Sequence, residues 1–146
     1  MSSTIGFACD HAALDLKTEL LTFTKTLRYH AEDLGTHTEQ RVDYPQYAFR
    51  LAEKIADKTL SRGILICGTG IGMCIAANKV TGIRAAVCSE PYSAKLSRAH
   101  NNTNVLCIGA RVVGLELAKM IVETWLKTPF EGGRHQDRVN LIDTYK

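Results

Sequence analysis

Hydrophobic residues fall into short continuous runs separated by longer stretches in which apolar and polar positions alternate with a helical period. Runs of four to six residues that are apolar throughout are typical of strands buried on both faces of a sheet. They predict strands at Thr4–Cys9, Gly63–Cys67, Ile83–Cys88 and Val105–Ile108, and the more polar segment Tyr29–Leu34 is a weaker second strand.

Between these runs, apolar side chains recur every three or four residues, which is the spacing of one face of a helix. Pro91 suits the first turn of such a helix because its fixed φ matches helical backbone. The helices are predicted at Ala13–Leu27, at a segment that opens near Pro45 and reaches Ile55, at Met73–Lys79, at Pro91–Ala99, and at a last segment striped by Leu115, Ala118, Ile121, Val122 and Trp125.

Strands that alternate with helices predict an α/β fold, because neighbouring parallel strands need crossover helices between them. We therefore expect one domain over residues 1–146, with a parallel sheet and helices on both of its faces. Residues 127–146 are expected to form an irregular C-terminal arm with a short helical end. Leu117 and Met120 lie off the main stripe of the last predicted helix, and they fit either a subunit contact or a broad core face.

Composition and charge exclude several classes of protein. The chain has 146 residues, of which 45% are hydrophobic and 23% charged, and this composition excludes a disordered chain. A net charge of +3 without a basic cluster disfavours nucleic-acid binding. The sequence shows neither an apolar run of about 18 residues nor a signal peptide, so no membrane association is expected. Five cysteines without a CxxC pair predict a reduced, cytoplasmic protein that uses cysteine mainly as a small core residue.

Chemically active side chains follow several of the predicted strands at the point where each strand ends. Asp10 and His11 follow the first strand, the segment Cys67–Gly72 follows the third, and Arg111 follows the fifth. Ligands of open parallel sheets bind beyond the carboxyl ends of the strands. The sequence therefore predicts a ligand site at this edge of the sheet.

The segment from Gly68 to Gly72 lacks the signatures of nucleotide-binding loops. Met73 stands where a dinucleotide fingerprint needs its third glycine, and no Gly-Lys-Ser/Thr follows, so a nucleotide- or flavin-binding domain is disfavoured. Backbone N–H groups of such a loop can bind an anion, although a tight strand-to-helix turn explains the glycines equally well. Cys67 precedes the loop, where these donors would stabilise a thiolate that acts as base or nucleophile.

Other polar residues have both a functional and a structural interpretation. Asp10 could be the N-cap of the first helix, and His100 and Asn101 could simply end the fourth helix. Arg134 and Arg138 are four residues apart, which suits a phosphate fork if the segment is helical, or a solvated surface pair. The histidines and cysteines show no HxxxH or CxxC spacing, so no metal site is predicted.

Taken together, the motifs resemble one family, ribose-5-phosphate isomerase type B, which also contains galactose-6-phosphate and allose-6-phosphate isomerases. Several separate motifs occur in the right order, so the resemblance is specific and spans essentially the whole chain. The matching stretches are Cys9–His11, Arg41–Pro45, Gly63–Gly72, Ile75–Lys79, Gly82–Ala85, Ala99–Asn101, Gly109–Arg111 and Glu131–His135.

The resemblance implies a Rossmann-like three-layer sandwich with five parallel strands, and aldose–ketose isomerisation of a small sugar phosphate in the pentose phosphate pathway without a cofactor. One subgroup of the family has Gly in place of Cys67 and Glu in place of Met73, so this chain resembles the cysteine-base subgroup. Carried over by position, Cys67 is the base, His100 opens the sugar ring and Thr69 assists catalysis. The substrate-binding residues would be Asp10, His11, Tyr44, Gly68, Gly70, Ile71, Gly72, Asn101, Arg111, Arg134 and Arg138.

The resemblance also implies a homodimer, with a dimer of dimers as an alternative, and the predicted topology indicates that its active sites are shared. Cys67 follows the third strand, whereas His100 precedes the fifth, so the two residues belong to opposite edges of the sheet. A strand of about five residues separates those edges by about 16 Å. Two other functions remain open, namely isomerisation of a six-carbon sugar phosphate and a sugar-phosphate-binding module without catalysis. The presence of Cys67, Thr69 and His100 argues against the second.

Overall fold

The computed structural model describes residues 3–146, and five strands in this range form one parallel sheet. The strands are β1 (Ile5–Cys9), β2 (Ala31–Asp33), β3 (Arg62–Cys67), β4 (Ala85–Val87) and β5 (Val105–Gly109). Their order across the sheet is β2-β1-β3-β5-β4, and each neighbouring pair is parallel. The predicted parallel sheet is thus confirmed. β2 and β4 are half as long as predicted because each lies at an edge and pairs with only one strand.

Helices cover both faces of the sheet, which confirms the predicted three-layer sandwich. One face packs against α1, α4 and α5, and the other packs against α2 and α3. Among residues 3–146, no helix combines the length and the apolar character needed to cross a membrane. The helices are α1 (Leu14–Thr26), α2 (Tyr44–Ala56), α3 (Ile71–Ala77), α4 (Pro91–Ala99), α5 (Leu115–Lys127) and α6 (Arg134–Thr144).

The central strand β3 is buried almost along its whole length, and its side chains alternate between the two faces. Ile64 and Ile66 pack in the same cluster as Trp125 of α5. Leu65 and Cys67 pack in the opposite cluster, with α2 and α3. This alternation places the Cys67 side chain on the α3 face at the end of the strand.

The loop after β2 is held against β1 by a lysine that the helical pattern treats as a solvent-facing residue. Lys17 of α1 is only 1% exposed. Its Nζ donates to Asp33 Oδ1 at 2.8 Å and to the carbonyl of Thr36 at 2.6 Å. The N–H of Thr36 in turn donates to the carbonyl of Cys9 at 3.1 Å. A partly buried ion pair thereby fixes the loop beside the residues that follow β1.

The C-terminal arm is more regular than predicted, because α6 occupies eleven of its residues. Hydrogen bonds near the start and the end of the arm attach it to the rest of the chain. Arg84 Nη1 donates to Asp143 Oδ2 at 3.0 Å, and the N–H of Glu131 donates to the carbonyl of Ala99 at 3.0 Å. Arg84 immediately precedes β4 and Ala99 ends α4, so α6 lies near the amino ends of the strands.

Leu117 and Met120 of α5 are 37% and 58% exposed. A broad core face is therefore wrong for these two residues. The subunit contact stays a prediction.

Candidate active site

Cys67 ends the central strand, at the point where the chain stops adding strands on one side of β1 and starts adding them on the other. From β1 the chain proceeds to β2 on one side, and β3 then returns to the other side of β1. The N–H of Asp10 donates to the carbonyl of Ile66 at 3.1 Å, and the N–H of Ala110 donates to the carbonyl of Cys67 at 2.8 Å. The segments after β1 and β5 thus flank Cys67, at the kind of switch point where open α/β sheets bind ligands.

The Cys67 side chain is 6% exposed and has a backbone donor directed at its sulfur. The N–H of Gly70 lies 3.1 Å from Cys67 Sγ. A donor in this position stabilises negative charge on the sulfur, because a charged acceptor strengthens the hydrogen bond. The local geometry is therefore suited to a thiolate.

The loop conformation that supplies this donor depends on glycine. Gly70 adopts a φ of +82°, and a Cβ there would come within 3.0 Å of the backbone of Ile108. Both the left-handed backbone and the close approach exclude a larger residue. The Thr69 hydroxyl accepts from the N–H of Ile71 at 3.2 Å, and the Thr69 side chain is otherwise exposed at the carboxyl edge.

Two large polar side chains contact the same loop. A Cβ at Gly72 would lie 2.6 Å from the hydroxyl of Tyr44, so the phenol rests directly on that glycine. A Cβ at Gly68 would lie 3.4 Å from Nη1 of Arg111. The backbone N–H of Arg111 also donates to the carbonyl of Gly68 at 3.0 Å. The predicted substrate-binding residues Tyr44 and Arg111 are thus both adjacent to the loop that follows Cys67.

Asp10 and His11 complete the residues at the carboxyl edge. Asp10 Oδ1 accepts from the N–H of Ala12 at 2.9 Å, which closes a tight turn. The N-cap of α1 is Ala13, so the alternative interpretation of Asp10 as that N-cap is wrong. His11 Nδ1 accepts from the N–H of Val42 at 3.4 Å. In neutral His11 this contact assigns the ring proton to Nε2, which can then donate to a ligand.

His100 lies on the opposite side of the sheet from Cys67, near the amino ends of the strands. It caps the C-terminus of α4, which starts after the carboxyl end of β4 and runs back across the face of the sheet. The carbonyl of Asn104, four residues later, accepts from the N–H of Gly63 at 2.9 Å, near the start of β3. Cys67 and His100 of one chain are therefore separated by the length of a strand, about 16 Å.

Two residues of the C-terminal arm surround the His100 ring. The rings of His100 and His135 stack with their centroids 4.2 Å apart and their planes 8° from parallel. Glu131 Oε1 lies 3.7 Å from His100 Nε2 and 3.5 Å from His135 Nε2. Spacing rules missed this cluster because 31 positions separate His100 from Glu131, and only the folded arm brings them together.

Arg134 and Arg138 lie on consecutive turns of α6, next to this cluster. The segment is helical, as the phosphate-fork interpretation requires, and Arg138 Nη1 donates to the carbonyl of Arg134 at 3.1 Å. Asn101 lines a cavity of about 590 Å³ between the loop 78–85 and α6. The predicted site residues thus form two groups, one at the carboxyl ends of the strands and one near their amino ends. His100, Asn101, Arg134 and Arg138 form the smaller group.

Cys74 is a second thiol with unusual properties. A hydrogen bond with the thiol of Cys107 lowers the pKa of Cys74 to about 7, although partial burial acts in the other direction. Burial raises the pKa of Cys107 well above its usual range, and it raises those of Cys9 and Cys88 to about 11. Cys9, Cys88 and Cys107 are buried core residues as predicted, whereas Cys74 is half-buried and departs from that prediction.

Comparison with known proteins identifies the family. The model of the Ribose/Galactose Isomerase family matches residues 5–142. Ribose-5-phosphate isomerase B of Escherichia coli is 56% identical over 138 residues, which cover 94% of this chain and 93% of that protein. D-erythrulose-4-phosphate isomerase of Pectobacterium atrosepticum is 45% identical over 144 residues, which cover 98% and 95%.

A solved structure agrees with these relatives. The structure of ribose-5-phosphate isomerase B of Clostridium thermocellum has a TM-score of 0.94 and 51% identity, and the match covers 96% of this chain and 95% of that one. The likeness thus extends over nearly the whole three-layer fold. The chain is an isomerase and belongs to the Ribose/Galactose Isomerase family.

Proposed function

We propose that this isomerase interconverts ribose 5-phosphate and ribulose 5-phosphate, with Cys67 as the base. The observation that carries the proposal is the position of Cys67 Sγ, 3.1 Å from the N–H of Gly70 at the switch point of the sheet. The identity to relatives named ribose-5-phosphate isomerase B supports this substrate over a six-carbon one. We also propose a cytoplasmic location, which the free cysteines support.

The proposed reaction begins with ring opening, because ribose 5-phosphate is mostly a closed ring. His100 donates a proton to the ring oxygen as the bond from C1 to that oxygen breaks, and the C1 hydroxyl gives up its proton to leave the open aldehyde. The Cys67 thiolate then removes the proton from C2, and the electron pair moves onto the C1 carbonyl oxygen to give a cis-enediolate. Transfer of the O2 hydroxyl proton to O1 and return of the proton from Cys67 to C1 then give the 2-ketose. The reaction moves protons within one substrate and needs no external oxidant or reductant, so the proposal includes no cofactor.

The loop from Gly68 to Gly72 stabilises the negative charge that develops on the enediolate oxygens. Its backbone N–H groups and the Thr69 hydroxyl are fixed at the carboxyl edge before the substrate arrives. Donors that are already oriented cost little reorganisation during the reaction, and a single such donor is typically worth 10²–10³-fold in rate. Asp10, Tyr44 and Arg111 hold the sugar beside this loop.

The phosphate is bound by His11 together with Arg134 and Arg138. These groups lie at opposite edges of one chain, so we propose that two chains share each site in a homodimer. One chain supplies Cys67, the loop and His11, and the partner supplies His100, Asn101 and the two arginines. A dimer of dimers would contain the same sites. The exposed apolar side chains Leu117 and Met120 are available for a further subunit contact.

The experiment that tests the function is a set of coupled assays on four substrates. The substrates are ribose 5-phosphate, allose 6-phosphate, galactose 6-phosphate and D-erythrulose 4-phosphate. We expect the highest kcat/KM with ribose 5-phosphate. A higher value with a four- or six-carbon substrate would reassign the substrate but keep the isomerase chemistry. Inactivity with all four would overturn the proposal.

Replacing Arg138 with alanine is expected to weaken binding of both substrate and inorganic phosphate. In the shared site the guanidinium faces a dianion away from bulk water, so its loss costs about 2–4 kcal/mol, or roughly 30- to 1000-fold in affinity. Arg138→Lys should recover part of the loss, because it keeps the charge but not the planar fork. Arg50→Ala, on α2, is the control. Unchanged phosphate affinity in Arg138→Ala, measured by calorimetry, would remove this residue from the site.

A further inference from the structure

We propose that His100, Glu131 and His135 form a zinc-binding site, and that zinc bound there inhibits the isomerase. The site is built from one chain. The binding part of the proposal needs only the geometry of that chain, whereas the inhibition rests on the proposed role of His100 in ring opening. The two parts are tested separately below.

The separations between the three ligand atoms are close to those of a metal centre. Zinc takes nitrogen and carboxylate oxygen ligands at about 2.0–2.2 Å, so two ligands of a tetrahedral centre lie about 3.4 Å apart. Glu131 Oε1 is 3.5 Å from His135 Nε2 and 3.7 Å from His100 Nε2. One ligand atom from each of the three residues fits within a span of 4.8 Å. To close the site, the two imidazole rings must rotate out of their parallel stack so that both Nε2 lone pairs point at one ion.

The backbone holds these side chains in place before any ion binds. The N–H of Glu131 donates to the carbonyl of Ala99, the residue before His100, at 3.0 Å. His135 lies in the first turn of α6, and its N–H donates to the carbonyl of Gly132 at 3.0 Å. The backbone of the site therefore needs little rearrangement when zinc binds.

The ligand types and their exposure fit a zinc site with an open fourth position. Two imidazoles and one carboxylate are a common ligand set for zinc sites that retain a water. The side chains of Glu131 and His100 are 57% and 38% exposed, so an ion can enter from solution. Glu131 supplies one negative charge, while the adjacent Arg134 supplies a positive one. We therefore expect weaker affinity than at a closed structural site.

Zinc in this position removes the function proposed for His100. The metal occupies the lone pair of the imidazole nitrogen, and that nitrogen can then neither accept nor donate a proton during ring opening. Inhibition should be reversible, because no covalent bond is made or broken and a chelator can remove the ion.

The binding test titrates Zn²⁺ into the metal-free full-length protein by calorimetry, with Co²⁺ absorption as a spectroscopic probe of tetrahedral coordination. We expect Glu131→Gln and His135→Gln each to weaken zinc binding by at least about ten-fold, since even outer partners of metal ligands contribute 10–100-fold. The control is His30→Gln, at an exposed histidine of another segment. Wild-type affinity in both test variants, or no zinc binding by the wild-type protein, would overturn the site.

Thiols provide the competing explanation, so Cys67→Ala and Cys74→Ala are titrated in parallel. Both should retain zinc affinity within two-fold of wild type, and loss of binding in either would place the metal at that cysteine instead. For inhibition, each active variant is compared with its own metal-free activity. The zinc concentration that halves activity should rise at least ten-fold in Glu131→Gln. Binding at the cluster without inhibition would keep the site and overturn the proposed role of His100.

Discussion

Replacing Cys67 with alanine is expected to lower kcat by at least ~10²-fold with little change in substrate affinity. The thiolate is proposed to remove the C2 proton, a step in which a positioned general base typically contributes 10²–10⁴-fold. The side chain is small and lies at the end of β3, so its loss should leave the binding residues in place. A fall in kcat without a matching rise in KM is the signature of an interaction made in the transition state.

The matched control is a conservative change at the neighbouring thiol. Cys74→Ala removes a cysteine of the same α3 face without touching the proposed base, and it should retain nearly full activity. Circular dichroism and thermal unfolding would establish that both variants are folded. Full activity of Cys67→Ala would refute the role of Cys67.

Alkylation provides a second measurement of the same role, but the structure shows that it must be done in a Cys74→Ala background. Because the pKa of Cys74 is lowered to about 7, we expect this half-buried thiol to react with iodoacetamide as well. In the Cys74→Ala protein, alkylation should inactivate at a rate that substrate slows. Inactivation with no label on Cys67 by mass spectrometry would contradict the prediction.

Mixing two inactive variants is expected to restore about a quarter of wild-type activity. Cys67→Ala and His100→Ala are each inactive, and they are unfolded and refolded together in equal amounts. Random pairing makes about half of the dimers mixed. By two-fold symmetry each mixed dimer then contains one site with both residues intact and one site with neither.

The structural reason for this expectation is the placement of the two residues at opposite edges of the sheet. Cys67 ends β3, whereas His100 caps the end of α4 nearest the start of β3. A histidine side chain cannot span the intervening length of about 16 Å and also contact the same sugar. We therefore propose that a second chain brings its His100 to a given Cys67.

The control for complementation is a mixture of Cys67→Ala with a double variant that carries both substitutions. Its mixed dimers contain no intact site, so this mixture should stay inactive. If Cys67 and His100 of the same chain formed one site, the two single variants would also remain inactive after mixing. Size measurements before and after refolding would verify that dimers form.

Local patterns in the sequence determined most of the fold and the residues at its carboxyl edge. The bounds of α4 agree with the prediction from Pro91 to Ala99, because a proline start and an apolar stripe are local signals. Likewise the glycine loop directly follows Cys67 in the sequence. Once the preceding apolar run forms a central strand, both lie at its carboxyl end. The position of a catalytic group beyond a parallel strand follows from topology, which the alternation of strands and helices already determines.

Contacts between distant segments were decided only by the tertiary structure. Lys17 is buried because Asp33 and Thr36 of another element accept its hydrogen bonds, and no helical pattern contains that information. The thiol of Cys74 is altered by Cys107, which belongs to a strand far along the chain.

The cluster of His100, Glu131 and His135 shows the same limit for the site itself. A strand, a helix and a loop separate His100 in sequence from Glu131 and His135, so no spacing rule relates His100 to the other two. They meet because the backbone of Glu131 is hydrogen-bonded to the end of α4 and α6 starts beside it. Sequence periodicity reports which face of an element is buried, whereas the partners on that face depend on how the elements pack in three dimensions.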